Sequence, residues 1–207
     1  MNDKEMRTYA VEFRAARDED HGPQITGRAI VYNAVTDIGG MYDEIIMPGA
    51  LDETDLRDVR LLVNHDFTMI PLARSRNNNA NSTMQLMPDA DGLVIRADLD
   101  TERNTDASAL YSACERGDIS GMSFAFIVGA DAWEGLDSEK PTRRITKIDR
   151  VLEVSAVTWP AYTQTTLSAR DAQTLESARA ALESAKAAAD AETRSRKRKA
   201  LKILLEV

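Results

Sequence analysis

The chain has 207 residues, 43% hydrophobic and 29% charged, enough for one domain with a sizeable core plus an appendage. Its net charge of −8 argues against a nucleic-acid binder, and its single cysteine, Cys114, excludes intramolecular disulfides and zinc sites built from several cysteines. No apolar run approaches membrane-spanning length and residues 1–17 are too polar for a signal peptide, so no membrane association and a cytoplasm-like compartment are expected.

In chain order, Thr8 to Arg14 alternates as a strand, with Tyr9, Val11 and Phe13 on one face. Asp18 to Pro23 is a polar turn, and Gln24 to Tyr32 a second strand that Gly39-Gly40 follows. Tyr42 to Met47 is short and extended, Asp52 to Leu56 has room for one helical turn, and Arg60 to Asn64 is an apolar strand leading into His65. Asn77 to Asn81 is a loop by composition. Thr83–Met87 and Leu93–Leu99 read as a hairpin closed by a Pro-Asp-Ala-Asp-Gly turn. Asn104 is placed to cap a helix running to about Arg116, which Gly117 stops. Ile119 to Val128 alternates: Met122, Phe124, Phe126 and Val128 face one way, and the small Gly121, Ser123 and Ala125 the other. A polar stretch, Trp133 to Thr142, leads to the extended segment Arg144 to Thr158, which Pro160 ends. Many short strands with few helices imply a mostly antiparallel barrel or closed sheet with helices packed outside.

Composition changes after about Ala169. The expected division is therefore a body over 1–169 and a helical tail over 170–207. From Asp171 onward eight Lys/Arg stand against six Asp/Glu, a net of +2, which leaves −10 of the −8 total on the rest. Leu175, Ala178, Leu182, Ala185 and Ala189 form a narrow helical seam, suited to a partner or to the body, with a marginal solvated helix as an equal alternative. The basic cluster Arg194 to Lys199 reads first as a solvated helix face.

Chemistry has few candidate carriers. A serine among small residues on a strand whose other face is pinned by a core is open to a substrate, so Ser123 suits a nucleophile, although an ordinary strand serine is the commoner account of such a stretch. Of the two histidines, His21 lies in a polar turn and reads as solvated; His65 continues the face of Leu61 and Val63 at a strand end. In Arg150 to Val157, Leu152, Val154 and Ala156 share one face while Glu153 and Ser155 point the other way. A carboxylate in such a strand is costly to bury unless paired, and a partner imidazole would make it an orienting acceptor. Ser123, His65 and Glu153 together supply a nucleophile, a base and an orienter. Their order along the chain is no objection, and the lack of a Gly-x-Ser-x-Gly elbow argues against an α/β-hydrolase.

The stretches Gly27-Arg28-Ala29, Glu44 to Leu51, Asn64-His65-Asp66, Gly117 to Phe126, and Leu152 to Ser155 with Pro160-Ala161, in this order and spacing, resemble the prohead proteases of tailed bacteriophages, of the Hong Kong ninety-seven type. That resemblance implies a fold like the herpesvirus assembly proteases: a small closed antiparallel β-barrel ringed by helices, α+β with β dominant, plus the C-terminal helical tail. It implies a serine endopeptidase of procapsid maturation with a Ser-His-Glu type triad, Ser123 attacking, His65 as general base and Glu153 as the acid that orients it, with no metal and no cofactor. Backbone N–H groups are the default oxyanion donors. Arg143 or Arg144 could assist through a water, solvation being the plainer account of both. Ala125 departs from the family's frequent Ser-x-Gly-Phe, and its methyl could crowd the site. Implied partners are the major capsid protein with its scaffolding segment, the protease itself by autocleavage, and a second copy as a homodimer, inside the immature procapsid in the host bacterial cytoplasm. The alternatives are a non-catalytic procapsid assembly or scaffold-like protein keeping the fold and, less in keeping with the motifs, an esterase of small substrates.

Overall fold

The structure is a computed structural model that describes residues 4–10, 13–19, 22–158 and 169–205. In chain order its elements are β1 (Lys4–Ala10), β2 (Phe13–Asp18), β3 (Gly22–Val31), β4 (Val35–Ile38), β5 (Tyr42–Ile46), β6 (Asp58–Val63), β7 (Ala73–Arg76), β8 (Met84–Asp89), β9 (Gly92–Asp98), α1 (Thr105–Arg116), β10 (Gly121–Glu134), β11 (Thr142–Val157) and α2 (Ala169–Leu205). His21, Val11 and the Pro160-Ala161 pair lie outside the described residues.

The expected closed antiparallel barrel ringed by helices is not what forms. Among the described residues the strands make two open sheets, one in the order β2-β3-β9-β8 and one in the order β1-β10-β11-β5-β4 with β6 and β7 branching from β11. The second sheet is mixed. The first part of β11 pairs in parallel with β5, Arg143 opposite Glu44, and its last part pairs in parallel with β6, Ser155 opposite Leu62. A long strand shared between two parallel partners splits the sheet, so its ends never meet. Irregularities in the β10–β11 ladder from Ala125 to Asp131 bend the ribbon where the partners change. The two helices do not ring anything: α1 packs on β2 and β3, and α2 meets the body through Ala178 and Leu182.

The local signals are mostly obeyed. Asn104 Oδ1 accepts the N–H groups of Asp106 and Ala107, and Gly117, in the left-handed region at φ 77°, ends α1. The β8–β9 hairpin closes where Asp89 faces Gly92. Asp52 to Leu56 departs from expectation, forming turns with a parallel bridge from Asp55 to Arg150 instead of a helical turn. Thr8 to Arg14 is likewise not one strand. Its first residues belong to β1 and pair with β10, and its last belong to β2 and pair with β3 in the other sheet.

The core lies between the sheets. Ile25, Leu93 and Ile95 face Met122, Phe124, Phe126 and Val154, all fully buried. The apolar face predicted for β10 is therefore present, and the stacked rings of Phe124 and Phe126, 4.7 Å apart, anchor it. In α2, Ala178 and Leu182 are buried against Ile38 and Tyr42, whereas Ala185 and Ala189 are half-buried and the Arg194–Lys199 cluster is exposed. The seam thus packs on the body in its first half.

A four-charge network joins β1 to the body. Arg7 binds Glu44 through Nε and through Nη2 at 2.7 Å, and binds Glu5 at 2.5 Å. Arg143 binds Glu5 at 2.8 Å and Glu44 at 3.1 Å, and outside those four it also binds the exposed Asp131 at 2.6 Å. All four are buried, so the expected solvation of Arg143 is overturned; Arg144 instead pairs with Glu134 near the surface. Burial alone would raise the Glu5 carboxyl, but the guanidinium groups of Arg7 and Arg143 outweigh it and hold Glu5 below its ordinary value of 4.5. A carboxylate lowered in the fold contributes stability above its unfolded value and loses it as pH falls through its folded one. Stability is therefore expected to start falling near pH 4.5 and to go on falling below it. Glu5→Gln is expected to shrink the difference between urea midpoints at pH 7 and pH 4; an unchanged difference would remove Glu5 from this role.

Candidate active site

The site is built on three neighbouring strands and one strained turn. Antiparallel pairing sets Ser123 of β10 opposite Ser155 of β11, and Ala125 opposite Glu153. Residues opposite each other share a face. Since the other face is pinned by Phe124 and Val154, Ser123, Ser155, Ala125 and Glu153 all emerge together. β6 runs beside β11 and ends at Val63.

Beyond Val63 the backbone turns sharply. Asn64 and His65 both take positive φ, 50° and 55°. Such values are uncommon for residues other than glycine and persist where neighbours over-determine them. Here the Asn64 N–H donates to the Ala156 carbonyl at 2.9 Å, and the Asp66 N–H donates to the Val63 carbonyl at 3.0 Å. Asn64 Oδ1 accepts the Thr158 N–H at 3.1 Å, and the His65 N–H donates to Ser155 Oγ, also at 3.1 Å. The turn carries the imidazole to the neighbouring strands β11 and β10.

The ring then meets both other candidates. His65 Nε2 lies 2.6 Å from Ser123 Oγ, and Nδ1 lies 2.6 Å from Glu153 Oε1. The second carboxylate oxygen is not left bare: Ser155 Oγ donates to Glu153 Oε2 at 2.5 Å. Glu153 is 1% exposed, and a carboxylate so buried is tolerated because both oxygens are engaged. Ala125 does not keep these groups apart, since all three contacts form with its methyl in place. A cleft of about 340 Å³, lined in part by Leu62, Phe67, Met69, Leu152 and Glu153, opens beside the pair.

Two features differ from expectation. Ser123 is fully buried instead of open; β1 pairs alongside β10 with Thr8 opposite it, and the Thr8 hydroxyl, the His65 ring and the Arg7 carbonyl surround its Oγ. Ser155 carries more than its position suggested: one hydroxyl joins the carboxylate of Glu153 to the main chain of His65. Its sharing a face with Glu153 was legible, but its link to His65 needs the positive-φ turn. Arg143 and Arg144 make their bonds elsewhere. Among the described residues no group of three or more His, Cys, Asp or Glu side chains could hold a metal, and the Cys114 thiol, pushed up to about 12 by burial, packs in the core.

Residues 9–179 match the family described as caudovirus prohead serine protease. The chain belongs to that family. The match spans the motif-bearing region and reaches the first part of α2. No curated protein matches the chain in sequence. Among solved structures it is similar to the capsid assembly protease of bacteriophage T4, at 12% identity and a TM-score of 0.39, over 75% of this chain and 99% of that one.

A hydroxyl, an imidazole and a carboxylate joined in series are able to pass a proton from the hydroxyl to a ring whose tautomer the acid fixes. Ser155 is expected to position that acid. Ser155→Ala removes a hydrogen bond to a charged group, about 1.5 kcal/mol, and should lower kcat about tenfold with KM nearly unchanged. Steady-state kinetics on a peptide substrate tests this, and a rise in KM at constant kcat would rule out the positioning role.

Proposed function

We propose that the chain is a serine endopeptidase of phage procapsid maturation in which Ser123 is the nucleophile, His65 the general base and Glu153 the orienting acid. The observation that carries this reading is the pair of 2.6 Å contacts that His65 makes, one from each ring nitrogen. Membership of a serine protease family supports it independently.

In the proposed reaction Ser123 Oγ bonds to the carbonyl carbon of the scissile peptide while its proton passes to Nε2 of His65. The carbon–nitrogen bond then breaks, and His65 returns the proton to the leaving amine. Water then enters, gives a proton to His65 as its oxygen bonds to the acyl carbon, and the bond from that carbon to Ser123 Oγ breaks as His65 returns the proton to Oγ. Glu153 Oε1 accepts the hydrogen bond from Nδ1–H throughout and stabilises the charged ring. No step requires a metal or a cofactor.

The substrates we infer are the scaffolding segment of the major capsid protein and the protease chain itself, met inside the immature shell in the host bacterial cytoplasm. The exposed far half of α2 is the proposed means of reaching that shell, or a segment removed by self-cleavage. Dimer formation is an extension of the family resemblance, open to light scattering.

A second reading, a non-catalytic assembly protein keeping the protease fold, draws support from the full burial of Ser123. Co-expression with the major capsid protein, followed by intact mass measurement, separates the two. The wild-type chain is expected to shorten the capsid protein and Ser123→Ala to leave it whole. Glu153→Gln should slow cleavage by a hundredfold or more, about 3 kcal/mol of transition-state stabilisation. Equal processing by wild type and Ser123→Ala would sink the peptidase reading; normal shells with no processing by either would favour the assembly protein.

A further inference from the structure

The chain's own first strand runs alongside Ser123 and takes part in closing it off. Thr8 stands opposite Ser123 in the β1–β10 ladder, and its Oγ1 donates to Ser123 Oγ at 2.8 Å. Ser123 Oγ in turn donates to the Arg7 carbonyl at 2.7 Å. A serine has one proton, and a carbonyl only accepts. The proton given to Arg7 is withheld from His65. In the seated arrangement the hydroxyl therefore faces a peptide carbonyl of its own chain.

β1 is also an edge strand, bonded to β10 and to no other strand among the described residues. Without it the backbone groups of Gly121–Ile127 would form a free edge of the kind to which extended peptides add. Two sets of side chains hold it there. On the face shared with Ser123, Lys4 Nζ sits 3.9 Å from the ring centroid of Phe67, in the turn after His65. On the inner face Arg7 reaches Glu44. Glu44 and Tyr42 alternate onto the same side of β5, and the Tyr42 hydroxyl is the one buried side-chain polar atom without a hydrogen-bond partner among the described residues. Arg7 thus sits among the carboxylates of Glu5 and Glu44, which Arg143 shares, with the Tyr42 hydroxyl on the same side of β5 as Glu44.

We infer that β1 is seated in the substrate groove. An extended peptide pairs with β10 in its place, its scissile carbonyl lies where the Arg7 carbonyl lies, and Glu44 receives a basic side chain on the residue that supplies that carbonyl. This rests on Ser123 being the nucleophile, and it adds both a closed state and a specificity residue.

The test uses the full chain with the single substitutions Lys4→Ala, Thr8→Val and Arg7→Met. The rate at which a fluorophosphonate labels Ser123 is read by mass spectrometry. Loss of the Lys4 contact is expected to speed labelling about threefold, and Thr8→Val by a similar factor. Loss of the Arg7 anchor is expected to speed it about tenfold or more. A heptapeptide of the β1 sequence, Lys-Glu-Met-Arg-Thr-Tyr-Ala, should slow the Arg7→Met variant again, and the same peptide with norleucine for arginine should do so about tenfold less well. Equal labelling of wild type and all variants overturns the closed state, and equal action of the two peptides overturns the role of Glu44. Should Arg7→Met fail to fold, Lys4→Ala and Thr8→Val, which leave the buried charges intact, carry the same comparison. If Ser123 labels in no variant, the nucleophile assignment fails, and hydrogen exchange of the β10 amides decides the groove. Faster exchange in the variants, reversed by the arginine peptide, upholds it; unchanged exchange overturns it.

Discussion

The register of β10 on β11 decides which side chains can meet. A strand has two faces, and sliding the pairing by one residue exchanges them. Met122, Phe124 and Phe126 forbid that slip, because it would turn fully buried rings out of the core. Fixing the apolar face fixes the other face too. Ser123, Ser155, Ala125 and Glu153 are consequently held at set positions before any of them makes a polar contact. The site inherits its rigidity from the core.

What the register does not supply is the imidazole, and that comes at a conformational cost. Two successive residues with positive φ are expensive, of the order of 1–3 kcal/mol each. They persist because the turn is bonded on every side: to Ala156, to Val63, to Thr158 and to the Ser155 hydroxyl. Ser155 matters most in this account, because it also holds the far oxygen of Glu153. The carboxylate of Glu153 and the main chain of His65 are thus tied to one hydroxyl, and moving either strains the other. Strain at a turn bonded this closely fits a place where geometry serves chemistry.

Legibility in the sequence followed the range of the interactions. Alternation in Ile119–Val128 and in Arg150–Val157 marked Ser123 and Glu153 because a strand's period is local, and scarcity of histidine pointed to His65. The capped helix α1 and the β8–β9 hairpin were readable for the same reason. Sheet closure was not, since no local pattern says that β11 is shared by β5 and β6 in parallel. Nor was the break after Ala10: one continuous alternation spans two strands that belong to different sheets. Reading it as one strand hid β1, and with it the cover over Ser123. Arg143 was misjudged through the same gap, its acidic partners arriving from β1, β5 and β10.

The charged network explains how such a cover could leave. Breaking a buried ion pair is costly when it strands one charge in the interior. Here the boundary of β1 divides the four charges into two groups, each with a cation and a carboxylate of its own. Arg7 and Glu5 bind each other within the strand, at 2.5 Å. Arg143 and Glu44 face each other across the β11–β5 ladder and remain bonded, at 3.1 Å, whatever β1 does. Withdrawal carries the first pair into water, where both ions are well solvated, and leaves the second pair intact with Asp131 still on Arg143. The energy lost is that of the contacts between groups, not of an orphaned charge. A substrate that brings its own cation into the vacated place restores the bonds to Glu44, so the same carboxylate that helps to hold the strand can also favour its replacement.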